Sequence, residues 1–196
     1  MNLIERVKNI LITPKTEWDV ISGETATTQS LLMGYVLPLS VVAAAGSLLK
    51  GFLFAGTYSL KFFIITAAIG FIAAVISFFI TVIIVDMLAP SFGSEKDMGR
   101  SAQLVAYSGT PSYIGALLSF IPVIGGIVAL AAWAYGIYLM YLGIGPMKKT
   151  PEDKKVVYMV VAFLIMIALY FILVAVLTAI IFAIVGGAIA ASNSIM

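Results

Sequence analysis

The 196-residue chain contains no cysteine and no histidine. That inventory removes disulfides, thiolate nucleophiles, Cys/His zinc sites and any Ser-His-Asp triad. Charge is scarce as well. Asp, Glu, Lys and Arg make up 10% of the residues against 62% hydrophobic, where a soluble domain carries about 25% charged. The mean hydropathy is +1.15. So little polar surface cannot cover a water-soluble globule of this length, and bilayer lipid must replace it. Only nine Asp and Glu are present, almost all of them between the apolar runs. No glycine-rich phosphate loop, metal-ligand spacing or nucleophile–base pair occurs, so no catalytic residue, metal or cofactor is expected. A net charge of +2 is too small to point to nucleic acid.

What the chain has is long apolar runs. A crossing helix needs about 20 such residues for a core of roughly 30 Å. One run covers 31–49 and is closed by Lys50 and Gly51; a second covers 62–85, between Lys61 and Asp86. From Ser101 to Met147 no charge appears, a length that suits two spans. Pro122 with Gly125 and Gly126 marks the turn between 102–120 and 123–143. The last run starts at Val156 and is expected to cross over 156–185. The expected fold is all-α: a polytopic membrane bundle of five transmembrane spans over 31–191, preceded by an amphipathic segment, 1–24, of one or two interfacial helices.

The basic residues orient the bundle. Arg6, Lys8, Lys15, Lys96, Arg100, Lys148, Lys149, Lys154 and Lys155 fall on one side, and Lys50 and Lys61 on the other. The positive-inside rule then puts the N-terminus in the cytoplasm and the C-terminus outside. In the opening segment Leu3, Ile4, Val7, Ile10 and Leu11 recur at helical spacing. They suggest a short helix in the headgroup region with its apolar face down. Thr13-Pro14 suits the start of a second helix, with Gly23 as its stop. Trp18 is expected at the interface, ring buried and N–H wet. A cleaved signal would need about 7–15 uninterrupted apolar residues, and Glu5, Arg6 and Lys8 interrupt this one.

Three stretches carry a family likeness: "RVKNILITPKTEWDVI" at the entry, "VAYSGTPSYIGALLSFIPVIGG" in the third span, and "YLMYLGIGPMKKTPEDKK" where the fourth span exits. Together they resemble the Yip family, the Ypt/Rab-interacting five-span membrane proteins, and its short bacterial branch in particular. The likeness implies the five-span fold, a bacterial cytoplasmic (inner) membrane location and a loose association with membrane organisation or trafficking. Ala106 precedes Tyr107 where many eukaryotic members have a Gly-Tyr pair. "TATTQSLLMGYVLP" lacks their Asp-Leu-Tyr-Gly-Pro-like segment, and their long cytosolic N-terminal region is absent. Small-GTPase binding is therefore not carried over.

Several polar positions are candidate binding residues, each with a bland alternative. Asp86 follows a run that extends about 36 Å at 1.5 Å per residue, so an ordinary helix-end charge competes with a working group. In the third span Gln103, Tyr107, Ser108 and Thr110 precede or adjoin Pro111, whose ring disturbs the carbonyl four residues back, that of Tyr107. Tyr135, Tyr138 and Tyr141 occupy the same cytoplasmic half of the fourth span. These residues could line a pocket as in broken-helix transporters, or serve only as interhelical hydrogen-bonding glue. Ala175, Ala179, Ala183, Gly187 and Ala191 form a small-residue stripe suited to close helix packing. Expected partners are membrane lipids, a second copy of the chain or another membrane protein. The leading reading is a non-enzymatic membrane protein acting in organisation or trafficking-like binding; the alternative is a small transporter or channel using the polar cytoplasmic half of spans three and four.

Overall fold

A computed structural model describes residues 2–53, 60–169, 171, 172 and 175. The described residues are helical throughout, with short turns between them. Helix α1 spans Leu3–Ile12, and the Asn2 side chain caps it by accepting from the Ile4 N–H at 2.8 Å. Helix α2, Pro14–Ser22, begins on its proline and stops at Gly23. Thr13 makes no capping bond to α2; its hydroxyl donates back to the Asn9 carbonyl.

The next helix opens as α3, Thr28–Leu31, with a reciprocal cap. The Thr27 hydroxyl accepts from the Ser30 N–H, and the Ser30 hydroxyl accepts from the Thr27 N–H, each at 3.1 Å. It passes through one π-helical turn, Leu32–Val36, into α4, Leu37–Leu53. Pro38 accounts for the π turn: it has no N–H to give the carbonyl of Gly34, four residues back, and its ring crowds that carbonyl. Widening lets the Leu37 N–H reach Leu32 instead. Helix α5 covers Leu60–Leu88 and tightens into a 3-10 turn, Ala89–Phe92, that Gly93 ends at a left-handed φ of 68°. Helix α6, Met98–Ser108, is capped by Asp97. Helices α7, Thr110–Leu117, and α8, Ile124–Lys148, follow. A further apolar helix, α9, runs over Lys155–Leu169.

Among the described residues three helices are long and apolar enough to cross a membrane: Thr28–Leu53, Phe63–Phe92 and Ile124–Lys148. The expected third span is not one helix. It breaks at Gly109, because Pro111 favours the first turn of a new helix over the interior of an old one. The expected turn at Pro122 is present, but Gly125 and Gly126 lie inside α8, and the positive φ of 64° falls on Val123 instead. Asp86 lies in the last turn of α5, which ends at Leu88. Of the small-residue stripe, Ala179, Ala183, Gly187 and Ala191 lie outside the described residues.

The chain divides into two compact units, 1–158 and 159–196. Within the first, α4 packs on α5 and α7, α8 packs on α6 and α7, and α2 lies against α8. Small residues set the approach. A Cβ on Gly46 would sit 2.4 Å from the Ala116 carbonyl of α7, so α4 and α7 meet backbone to backbone as small-residue membrane interfaces do. In the second unit, Met159 to Leu169 belong to α9.

Candidate functional site

The polar side chains of the first unit gather in two buried clusters and around one cavity. The first cluster fastens the opening segment. Arg6 shares the helical face of Leu3 and Ile10, three before it and four after it, so burying that face buries a guanidinium. Two carboxylates meet it. Arg6 Nη1 lies 2.6 Å from Glu17 Oε1 of α2, and Nη2 binds both carboxylate oxygens of Glu24. Its guanidinium also stands over the Tyr107 ring, 5.3 Å from the centroid, a favourable cation–π placement. Burial works against the Arg6 charge, but the Glu24 hydrogen bond and the fields of Tyr107, Glu24 and Glu17 outweigh it and hold its pKa above the ordinary arginine value.

From the other side Arg100 of α6 donates to the carbonyls of Ser22 at 2.7 Å and Glu24 at 3.1 Å, and Gln103 Nε2 donates to the same Glu24 carbonyl at 3.2 Å. The loop after α2 is thus fixed by side chains 76 to 79 residues further along the chain. Trp18 is fully buried, edge-on to Tyr107 at 6.3 Å. Gly143 of α8 makes room for it, since a Cβ there would come within 2.6 Å of the indole. The expectation of a wet indole N–H is overturned. Nε1 is buried with no hydrogen-bond partner among the described residues, as is Gln103 Oε1.

The second cluster joins α5, α6 and α8. Lys148 is 0% exposed and Asp86 2%. Lys148 Nζ lies 3.0 Å from Asp86 Oδ1 and donates to Ser101 Oγ at 2.7 Å and the Asp97 carbonyl at 3.1 Å; Ser101 Oγ donates to Asp86 Oδ1 at 3.0 Å. Alongside, Ser94 bonds Thr150 at 2.8 Å, and the Tyr158 hydroxyl donates to the Val85 carbonyl. Each charge here has a counter-charge and further hydrogen bonds, the condition for burying an ion pair at tolerable cost.

A cavity of about 570 Å³ lies beside the first cluster, lined by Arg6, Glu24, Ser30, Gly34, Tyr35 and Tyr107 among others. The π turn brings Tyr35 and Gly34 to its wall, and π turns often accompany functional sites. Tyr35 packs edge-on against Tyr107 at 4.8 Å, and its hydroxyl pairs with Thr110 Oγ1 at 2.7 Å. Thr110 Oγ1 also donates to the Tyr107 carbonyl at 2.7 Å, and Ser108 Oγ donates to the Leu104 carbonyl at 2.6 Å. Carbonyls freed by the helix break are therefore taken up locally.

Helices of this length and composition, joined by buried ion clusters, call for a membrane-protein family. A family model described as the Yip1 domain matches residues 8–176. The chain belongs to the Yip1-domain family. No curated protein and no solved structure matches it. The Yip1 match takes in both clusters except Arg6, and every candidate binding position named from the sequence. In this Yip1-domain protein Tyr107, Ser108, Thr110 and the buried Pro111 flank the break between α6 and α7, while Gln103, earlier in α6, reaches the Glu24 carbonyl. Asp86 joins a separate cluster with Lys148. Tyr138 is 42% exposed and stacks on Tyr135, whose hydroxyl donates to the Leu11 carbonyl at 2.8 Å.

Arg6, Glu17, Glu24, Tyr35, Arg100, Ser101 and Lys148 were not candidates from sequence. One signal was available: a charge on the apolar face of α1, and a glutamate beside Trp18 on the buried side of α2. Among the described residues no group of three or more acidic side chains could hold a metal ion.

Proposed function

We propose that this Yip1-domain chain is a non-enzymatic, five-span protein of the bacterial inner membrane, N-terminus cytoplasmic and C-terminus outside. It acts by binding, in membrane organisation or a trafficking-like association. The observation that carries this reading is the Arg6 clasp. It ties α1 to α2, to the loop after it and to Tyr107 of α6, and leaves Ile4, Ile12 and Val20 exposed. Apolar side chains interleaved with Lys8 and Lys15 on a fixed pair of interfacial helices suit a membrane surface or another membrane protein. The test is recovery of the full chain in mild detergent, with and without Arg6→Ala. Specific lipids or membrane proteins should accompany the wild type and fall away from the variant.

A second reading, a small transporter or channel, is favoured by the cavity beside the broken third span, where such proteins hold solutes. Recovery of the wild-type chain alone, together with passage of a solute into vesicles that contain it, would replace the first reading by this one.

A further inference from the structure

We propose that the cavity beside α1 receives a primary ammonium group, with the Glu24 carboxylate as its counter-charge. Arg6 and Glu24 are the charged residues that line the cavity, and their exposure selects the sign. Arg6 is matched by two carboxylates, Glu17 and Glu24, and its guanidinium is occupied by both and by the Tyr107 ring. Arg100 donates to backbone carbonyls of the loop after α2 and is not among the residues that line the cavity. Of the three ionised side chains in the clasp, Glu24 alone stays open: its side chain is 40% exposed, against 6% for Arg6 and 5% for Glu17.

An anion finds less. A helix start would ordinarily offer free N–H groups, but at α3 the Thr27–Ser30 cap uses two of these donors within the chain. Tyr35 and Tyr107 add aromatic wall, which a cation tolerates and an anion does not. Gly34 provides the space, since a Cβ there would meet nothing within 4 Å.

By the basic-residue asymmetry this mouth lies at the cytoplasmic headgroup level. The ammonium can come from an aminophospholipid headgroup or from a free small amine. The inference rests on the binding reading only in expecting a ligand in place of a reaction, and the two fail separately: one is read by copurifying partners, the other by amine response.

The full chain is placed in nanodiscs of phosphatidylcholine and its Tm measured. Phosphatidylethanolamine is then included in the bilayer, or ethanolamine added to the buffer, with phosphatidylglycerol as the anionic control. The wild type should gain about 2–4 °C with the ethanolamine lipid, the soluble amine, or both. A response to the lipid alone identifies the headgroup as the source, and a response to the soluble amine identifies a free ligand. Glu24→Gln and the cavity-filling Gly34→Leu should abolish the gain, while Glu95→Gln, at an exposed ion pair elsewhere, should keep it. If Glu24→Gln does not fold, Gly34→Leu decides. No gain in either amine arm, a gain with phosphatidylglycerol in their place, or an undiminished gain in Gly34→Leu overturns the proposal.

Discussion

At the scale of single residues, the structure separates polar groups that hold the protein together from those that face open space. Lys148 belongs to the first kind. Lys148→Met would leave the buried Asp86 carboxylate without its counter-charge, and loss of one partner of a buried pair costs about 3–5 kcal/mol. Adding Asp86→Leu should recover most of that loss, because two apolar side chains can replace a buried pair at little cost. Thermal unfolding of the single and double variants in detergent checks both outcomes. The tyrosines give a finer contrast. Tyr35→Phe removes a hydroxyl bonded to Thr110 and should lower stability by about 0.6 kcal/mol, the average between membrane helices. Tyr107→Phe should be close to neutral, since Tyr107 makes its described contacts through its ring. An equal loss in both variants would mean that the Tyr107 hydroxyl is structurally bonded.

At the scale of elements, the opening helices show how a correct local reading can lose its surroundings. Helical spacing located α1 and α2, and the proline and glycine located their ends. Periodicity cannot say what the apolar face meets, however. Ile10, Trp18 and Ile21 are buried within the protein, whereas Ile4 is 75% exposed, so the face is shared between the bundle and its outside. Trp18 depends on Gly143, in a helix far along the chain, a pairing no local pattern announces. Gly143→Ala should therefore drive a methyl into the indole and destabilise by about 1–3 kcal/mol, the usual cost of overpacking. The same substitution at Gly34, where space is open, should be neutral or stabilising by thermal unfolding. The broken third span was half legible. Pro111 signalled a disturbance, but kink and break have the same sequence mark, and only the packing of α7 against α4 and α8 favours two helices. Arg6, Glu17 and Glu24 were legible only as charges near an interface, because an ion pair between separate helices has no fixed spacing.

At the scale of the whole molecule, composition and charge asymmetry carry furthest, because they follow from the solvent and not from any one contact. Membrane insertion, helical architecture and the family were all accessible from apolar runs and three loose motifs. Span number was less so: three helices among the described residues meet the length and apolarity needed, while the two further crossings proposed depend on a divided helix and on α9. The chain's lack of cysteine makes the resulting topology directly testable, because single cysteines can be introduced and labelled without background. The reporter sites follow from burial. Ser94 and Thr150 are buried and bonded to each other, so neighbouring exposed positions serve better. Lys96→Cys and Asp153→Cys should react with a membrane-impermeant maleimide only after the cytoplasmic side is opened. Ser59→Cys and Ser194→Cys, which lie outside the described residues, should react in intact cells. An even number of crossings would put position 194 with positions 96 and 153, and labelling of Ser194→Cys from the cytoplasm alone would overturn the five-span topology while leaving the Arg6 clasp and its cavity in place.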